Sequence, residues 1–404
     1  MHILHVSERV FPIGGCERML SDTCRMLCDA GHTVSVLVAD DTPAGTFALP
    51  LERLPRSRGP RVALRVKPLL DAILQRLRPD VIHVHNAQDF LSPVLVHHLH
   101  KTAPTLRYVH DARLFCPRVP SKRLARSSEL CPHAMGLHCL LHCFPIDSGG
   151  GYKRPAKELA LLYGDLAVTR RLPAVGVGSR YMRDQLLVNG FQAARIHLLS
   201  GFTDKGAGHA SDGRAAPHVL AVGRFDGVKG LEELPGVFAK LTTPDWRATI
   251  VGDGPGLEET RLKAANLGLS ERIHFAGALQ SAELDALYAS TAVVAMASCV
   301  PEAFGLVGIE AMSFGKPVVA FDIGGVSEWL NDGENGYLVR PGDHVALACR
   351  IDQLLGDPVE RDRLGGRGRK QVDARFRPER HLQRLLEVYS GMTSLYSSSV
   401  SVGA

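Results

Sequence analysis

The chain has no long hydrophobic run: none of its apolar stretches reaches the ~18 residues that cross a bilayer as a helix. It also lacks the charged start and extended apolar core of a secretion signal, because MHILHV reads directly as a strand. A cytoplasmic location is therefore expected. No G-x-G-x-x-G occurs, so the dinucleotide-binding fingerprint is missing. No recognised nucleic-acid module accompanies the basic residues, which argues against nucleic acid as a partner. The nine cysteines contain none of the paired C-x2-C spacings of a zinc ribbon.

With 404 residues, 45% of them hydrophobic, the chain is too long for one ordinary core, and two domains are expected. Charge divides them. Residues 1–200 carry 26 Lys+Arg against 16 Asp+Glu, and the rest 21 against 26, giving +10 and −5. The first half therefore suits an anionic partner. Its focus is residues 53–78, with eight Arg or Lys opposed only by Asp71. Pro68 is expected to split this stretch into a basic loop and a short helix bearing Leu70, Ile73, Leu74 and Leu77 on one face. Two readings stand side by side. A basic amphipathic helix can rest on an anionic membrane, the inner face for a cytoplasmic protein. It can equally pack on its own sheet.

Short apolar runs alternate with helical patterns. Ile3–Ser7, Thr33–Ala39, Asp80–His85, Thr105–His110 and Ala174–Gly178 read as strands, and Cys16–Ala30 as a helix. The rhythm breaks at 112–157, an irregular insertion rich in Cys, His and Pro, and again at 201–216, a Gly- and Ala-rich linker. It restarts with His218–Gly223, Arg247–Gly252, Arg272–Phe275, Ala292–Met296 and Pro317–Phe321. The pattern predicts an α/β chain of two Rossmann-like domains, 1–200 and 217–378, facing across a cleft. A C-terminal helix within 379–404 would pack back on the first domain.

The segment Pro301–Ala320, PEAFGLVGIEAMSFGKPVVA, reads as a loop entering a helix at Gly305. Unpaired N–H groups at such a start attract phosphate. Glu302 would lie outside the helix and Glu310 about two turns in. Ionised carboxylates accept strong hydrogen bonds from sugar hydroxyls, so the pair suits a sugar joined to a phosphate. The competing reading of this segment alone is an ordinary amphipathic helix with two solvated glutamates. Arg224 and Lys229 follow the strand that ends at Gly223, where two cations suit a diphosphate. Gly252 and Gly254 form a tight turn after the next strand, and Gly324-Gly325 opens another helix start. In the first half, Gly14-Gly15 follows the first strand, and His110-Asp111 ends TLRYVH. A histidine there can donate to a sugar hydroxyl. His83 and His85 receive no role.

These motifs, in this order, resemble the GT-B glycosyltransferases, specifically the large retaining group called family 4. The likeness runs through Gly14-Gly15, PDVIHVHN at 79–86, VHD at 109–111, GRFDGVKG, VGDGP, the Glu302–Glu310 stretch and DIGGVSEWLNDGENGYLV at 322–339. It implies a nucleoside diphosphate sugar donor. Arg224 and Lys229 would hold its diphosphate, with Gly14 and Gly15 closing over the phosphates. Gly223, Gly252, Gly254, Phe304, Gly305 and Leu306 would line the donor site. Glu302 would meet the donor sugar, Glu310 the ribose, and His110 the sugar from the first domain. The resemblance implies a hexosyltransferase that retains anomeric configuration and uses no catalytic cofactor. No D-x-D triplet suggests a metal-bridged diphosphate. The acceptor, whether a glycan, a lipid-linked or a small molecule, is not encoded in any motif. A related enzyme that epimerises or hydrolyses the nucleotide sugar, or a non-catalytic binder, is the alternative. One departure is Ser200-Gly201, where relatives often carry Asn-Gly.

Cys116, Cys131, Cys139 and Cys143 cluster in the insertion. Four thiols in a His-rich loop suggest a structural zinc, with His133, His138 or His142 as substitutes. Free thiols are the competing reading.

Overall fold

A computed structural model of the chain describes residues 1–10, 14–43, 47–118, 122, 130–143, 155–206 and 216–401. The chain divides into two compact units: Met1–Ser200 with Glu379–Ala404, and Gly201–Pro378.

The first unit is built on a seven-stranded sheet. Its strands are β1 (His2–Val6), β2 (Thr33–Ala39), β3 (Leu51–Leu54), β4 (Val81–Val84), β5 (Thr105–Val109), β6 (Ala174–Val177) and β7 (Ile196–Leu198). They run in the order β3-β2-β1-β4-β5-β6-β7, every pairing parallel. The second unit has six strands: β8 (His218–Val222), β9 (Arg247–Val251), β10 (Ile273–Gly277), β11 (Val293–Met296), β12 (Val318–Phe321) and β13 (Gly336–Val339). Their order is β10-β9-β8-β11-β12-β13, again all parallel. Both orders follow the Rossmann pattern, in which the sequence reverses direction beside the first strand. The near-continuous apolar strands explain the burial. Sheets covered on both faces need hydrophobic side chains on both, and β4, β11 and β12 are buried throughout.

Strands β3, β7 and β13 lie where the pattern reading gave none, and one helix differs from it. Helix Pro60–Leu77 runs straight through Pro68 rather than stopping there. Pro68 and Leu64 both face solvent, so the Leu64 carbonyl that loses its intrahelical partner remains accessible to water. The inward row Ala63, Val66, Leu70, Ile73 and Leu74 carries the helix across. The basic stretch is also largely committed within the unit. Arg56 pairs with Asp41 and Glu8, Arg58 with Asp89 and Glu158, Lys67 with Asp71, and Arg76 with Glu52. The insertion 112–157 contains a short helix, Cys139–His142, and ends inside helix Pro155–Thr169. Much of it, and residues 207–215 of the linker, lie outside the described residues.

The C-terminal helix, Pro378–Ser401, carries the fully buried Leu385 and Tyr389. The Tyr389 hydroxyl and His83 Nδ1 share a 2.7 Å hydrogen bond, which ties this helix to β4. No helix among the described residues is long and apolar enough to cross a membrane.

Candidate active site

The second unit gathers most of the expected site residues at the carboxyl edge of its sheet, around the switch point between β8 and β11. The turn after β8 begins with Gly223-Arg224. Close packing shapes it. A Cβ on Gly252 (φ 144°) would stand 1.7 Å from the Gly223 carbonyl oxygen, so the β9 turn can approach the β8 turn only as glycine. Gly254 (φ 149°) meets the Phe225 carbonyl in the same way. These glycines hold backbone against backbone; that is the role the structure gives them directly.

Lys229 leaves this turn and reaches Glu302. Its Nζ donates to Oε1 at 2.7 Å and to Oε2 at 2.8 Å, and the Ser298 hydroxyl donates to Oε1 at 2.5 Å. Glu302 is buried, which by itself would raise its pKa. The Lys229 charge and the hydrogen bonds from Lys229 and Ser298 outweigh burial and hold it below the usual carboxylate range. The carboxylate is thus ionised. Both contacts fall on one carboxylate, so Lys229 has further N–H donors to offer, and the side chain keeps 37% of its exposure. Arg224 lies more open, 63% exposed, with Asp226 at 3.5 Å.

The loop holding Glu302 is pinned on its other side. Glu302 bridges to Gly324, and the Gly325 N–H donates to the Glu302 carbonyl at 2.6 Å. Gly324 has φ 64°, and a Cβ there would meet the Glu302 carbonyl at 2.3 Å. Gly305, at φ 91°, caps helix Leu306–Ser313 in a left-handed conformation that suits glycine. The buried Trp329 indole donates to the Phe304 carbonyl at 2.6 Å, fixing the entry to that helix. Phe304 itself is buried against Phe376 rather than open to a ligand.

Glu310 is the fifth residue of this helix, little more than one turn in, not two. The helix starts where the sequence suggested, and at 3.6 residues per turn the five positions from Gly305 make about 1.4 turns, so the two-turn expectation was too deep. Glu310 is buried and accepts from the Tyr288 hydroxyl at 3.1 Å.

Gly14, Gly15 and His110 belong to the first unit. Gly14 caps helix Gly15–Asp29 with extended backbone. His110 follows β5 and is buried, and burial lowers its pKa to about 4, so it is neutral near pH 7. Asp111 accepts from the Arg113 N–H and guanidinium, closing the turn beyond it.

Sequence reasoning passed over the neighbours of His110. His85 Nδ1 and His110 Nε2 share a hydrogen bond of 3.0 Å, and His5 Nδ1 and His85 Nε2 another of 3.0 Å. His83 stacks on His85 with ring centroids 4.1 Å apart. The available signal was the H-x-H of β4, since residues two apart on a strand share a face. Ser298 and Tyr288 carried no such signal.

In the insertion, Cys139 opens the short helix and Cys143 follows its last residue, the Cys143 N–H donating to the Cys139 carbonyl at 2.8 Å. Their thiols are hydrogen-bonded, which lowers the Cys139 pKa and raises that of Cys143. Cys116 is buried, and burial pushes its thiol up to about 11. Cys131 is half-buried, and its N–H donates to the carbonyl of the buried Lys122. Among the described residues, the three potential metal ligands drawn within 4.8 Å of one another are His5, His83 and His85, not the thiols.

Residues 13–205 match the family model described as Glycosyltransferase Family 4, and residues 213–371 the model described as Glycosyl transferases group 1. A lipopolysaccharide core biosynthesis glycosyltransferase, LpsE of Rhizobium meliloti, is 30% identical over 281 residues, covering 68% of this chain and 76% of that protein. An N-acetyl-alpha-D-glucosaminyl L-malate synthase of Bacillus anthracis is 32% identical over 173 residues, 42% of this chain and 44% of that one. The match spans about half the length of several such curated relatives. Among solved structures, Anabaena Alr3699/HepE in complex with UDP has a TM-score of 0.73 at 22% identity, covering 97% of this chain and all of that one.

Proposed function

The chain belongs to the group 1 glycosyltransferases, family 4, and on that premise we propose that it transfers a sugar from a nucleoside diphosphate sugar to an acceptor hydroxyl, with retention at the anomeric carbon and no catalytic metal. The observation that carries the reading is the Lys229–Glu302–Ser298 cluster at the switch point of the second sheet. Ligands in such sheets bind beyond the carboxyl ends of strands at that point. There an ionised carboxylate can orient sugar hydroxyls. The remaining Lys229 N–H donors, with Arg224, can neutralise the departing diphosphate. The helix start at Gly305-Leu306 supplies backbone donors to the same group. Glu310 faces the ribose, and His110 and the Gly14-Gly15 turn serve from the first unit.

The test starts with thermal shifts against UDP, UDP-glucose and GDP-mannose, because a ligand bound to the folded chain raises its stability by mass action. Anomer-resolved NMR of the product with a mixture of glycan, lipid-linked and small-molecule acceptors then reads the chemistry. A product of retained configuration supports the reading. An isomerised or merely hydrolysed donor would move the chain to the alternative class, and no stabilisation by any nucleotide would sink the donor site.

The exposed face of helix Pro60–Leu77 presents Val62, Leu64 and Leu69 with Arg61 and Arg65. Apolar and cationic groups on one face suit an anionic bilayer surface, where a lipid-linked acceptor would lie. Binding to anionic but not neutral vesicles, lost in Leu64→Glu, is the expected result. Equal recovery with both vesicle types removes the membrane from the proposal.

A further inference from the structure

The first unit buries histidines beside the switch point of its own sheet. His5 comes from β1, and His83 and His85 from β4 and its end; His5 and His83 are register partners. All three are at most 3% exposed. Three clustered imidazoles suggest a metal at first sight. Their orientation argues otherwise. His5 and His85 lie nearly parallel, 19° apart, with centroids 5.2 Å apart and nitrogens 3.0 Å apart. His85 and His110 repeat the arrangement at 28°, 5.3 Å and 3.0 Å. Each nitrogen contact, with the two ring radii added, accounts for nearly all the centroid separation, so the rings meet edge to edge. His83 lies across the face of His85. Both ring nitrogens of His85 are taken by these two contacts, so it has none left for a metal; His83 Nδ1 is taken by Tyr389, and His5 Nε2 and His83 Nε2 are buried without partners.

A row of neutral imidazoles has a direction, because each ring holds one N–H and one lone pair. At the inner end, His5 Nε2 is buried without a hydrogen-bond partner. If the row ran inward, that atom would carry a stranded N–H. If it runs outward, the atom is a bare lone pair. Orphaned buried N–H groups are the rarer and costlier case. The outward direction therefore prevails: His5 Nδ1–H donates to His85 Nε2, and His85 Nδ1–H donates to His110 Nε2. The one proton of His110 is then on Nδ1.

We infer that the row His5–His85–His110 fixes His110 as a neutral Nδ1–H donor, and that His5 and His85 are positioning residues for it. The inference rests on the reading that places His110 in the donor-sugar site. In that role His110 offers an N–H to an oxygen of the ligand and cannot accept a proton at the nitrogen turned inward, which is already occupied. The neutral histidine side chain in water favours the Nε2–H tautomer, so the arrangement is imposed by the fold.

The test is long-range proton–nitrogen NMR on the full chain labelled with 15N-histidine, with His110 assigned by His110→Asn. The expected wild-type spectrum shows a protonated Nδ1 and a bare Nε2 for His110. His5→Phe, which keeps the ring volume but removes the first donor, should convert His110 to a mixed or reversed tautomer although its Cα lies two strands away. His85→Phe should do the same and lower kcat roughly ten-fold or more, part of the ~10²–10⁴ ascribed to a well-placed proton-handling group, with donor KM little changed. His85→Gln, which can accept and donate in series, should restore much of both. An Nε2–H signal for His110 in the wild type overturns the inference whatever the variants do. So does a stoichiometric metal that shifts the His5 and His85 signals. Absence of turnover with every donor would instead strike the proposed function and leave the tautomer result standing.

Discussion

The Lys229 ammonium meets both carboxylate oxygens of Glu302, at 2.7 and 2.8 Å, so the cation assigned to phosphate and the anion assigned to sugar are one unit before any ligand arrives. Neither can be altered without changing the other's charge environment.

Glu302 should matter more to turnover than to nucleotide binding. A sugar losing its phosphate gains positive charge, and a fixed carboxylate beside it acts more strongly in the transition state than before it. Glu302→Gln is expected to keep nucleoside diphosphate affinity and lose most of its maximal rate. Glu310→Gln should chiefly raise the donor KM. Steady-state kinetics at saturating acceptor decide this. A Glu302→Gln enzyme with normal rate and poor donor affinity would reverse the roles.

Lys229→Ala and Arg224→Ala should each cut turnover by roughly 10²-fold, the scale of losing one electrostatic stabiliser. Lys229→Ala should also reverse the sign of a pH dependence. In the wild type the folded pKa of Glu302 lies below its ordinary 4.5. That contribution is complete above 4.5 and fades as pH falls through the depressed value. Without the cation, burial dominates and the folded pKa rises above 4.5. Stability from this group then fades as pH climbs. Melting temperatures of both proteins across this range should therefore diverge with rising pH, and parallel curves would refute the coupling.

Gly308→Ala tests the Trp329 lock. A Cβ at this position would stand 1.9 Å from the indole ring. The ring is fully buried and holds the Phe304 carbonyl, so it has no room to retreat. Overpacking of this kind costs about 1–3 kcal/mol. Chemical denaturation should show a loss of that size, and a neutral substitution would mean that the helix shifts as a body.

The cysteine insertion should bind about one zinc per chain through Cys116, Cys131, Cys139 and Cys143, the thiols closing on the ion as they deprotonate. Elemental analysis after purification without added metal reads it directly. Negligible zinc, with stability unchanged by chelator, leaves these as free thiols.

The two sheets were legible because fully covered parallel strands are written as apolar runs, as in VVAM and VVAF. β3, β7 and β13 escaped because LERL, IHL and GYLV lack that uniformity. Pro68 misled because a proline's effect depends on which side of the helix its lost bond faces, which local sequence does not reveal. The glutamates and cations were legible as residues beside strand ends. Their pairing was not, since Lys229 and Glu302 stand 73 residues apart. The imidazole row was least visible of all: it needs β1, β4 and β5 aligned before any of its hydrogen bonds exists.

The return of the last helix to the first unit makes the second unit, in effect, a guest inserted in its host. During synthesis, Gly201–Pro378 is complete and can close its sheet while β4 still waits for Tyr389, 306 positions after its partner His83. Domains fold as units when their residues are available. The half made first should therefore finish last, and a chain stopped before the final helix would expose the His83 side of its sheet with nothing of its own to cover it.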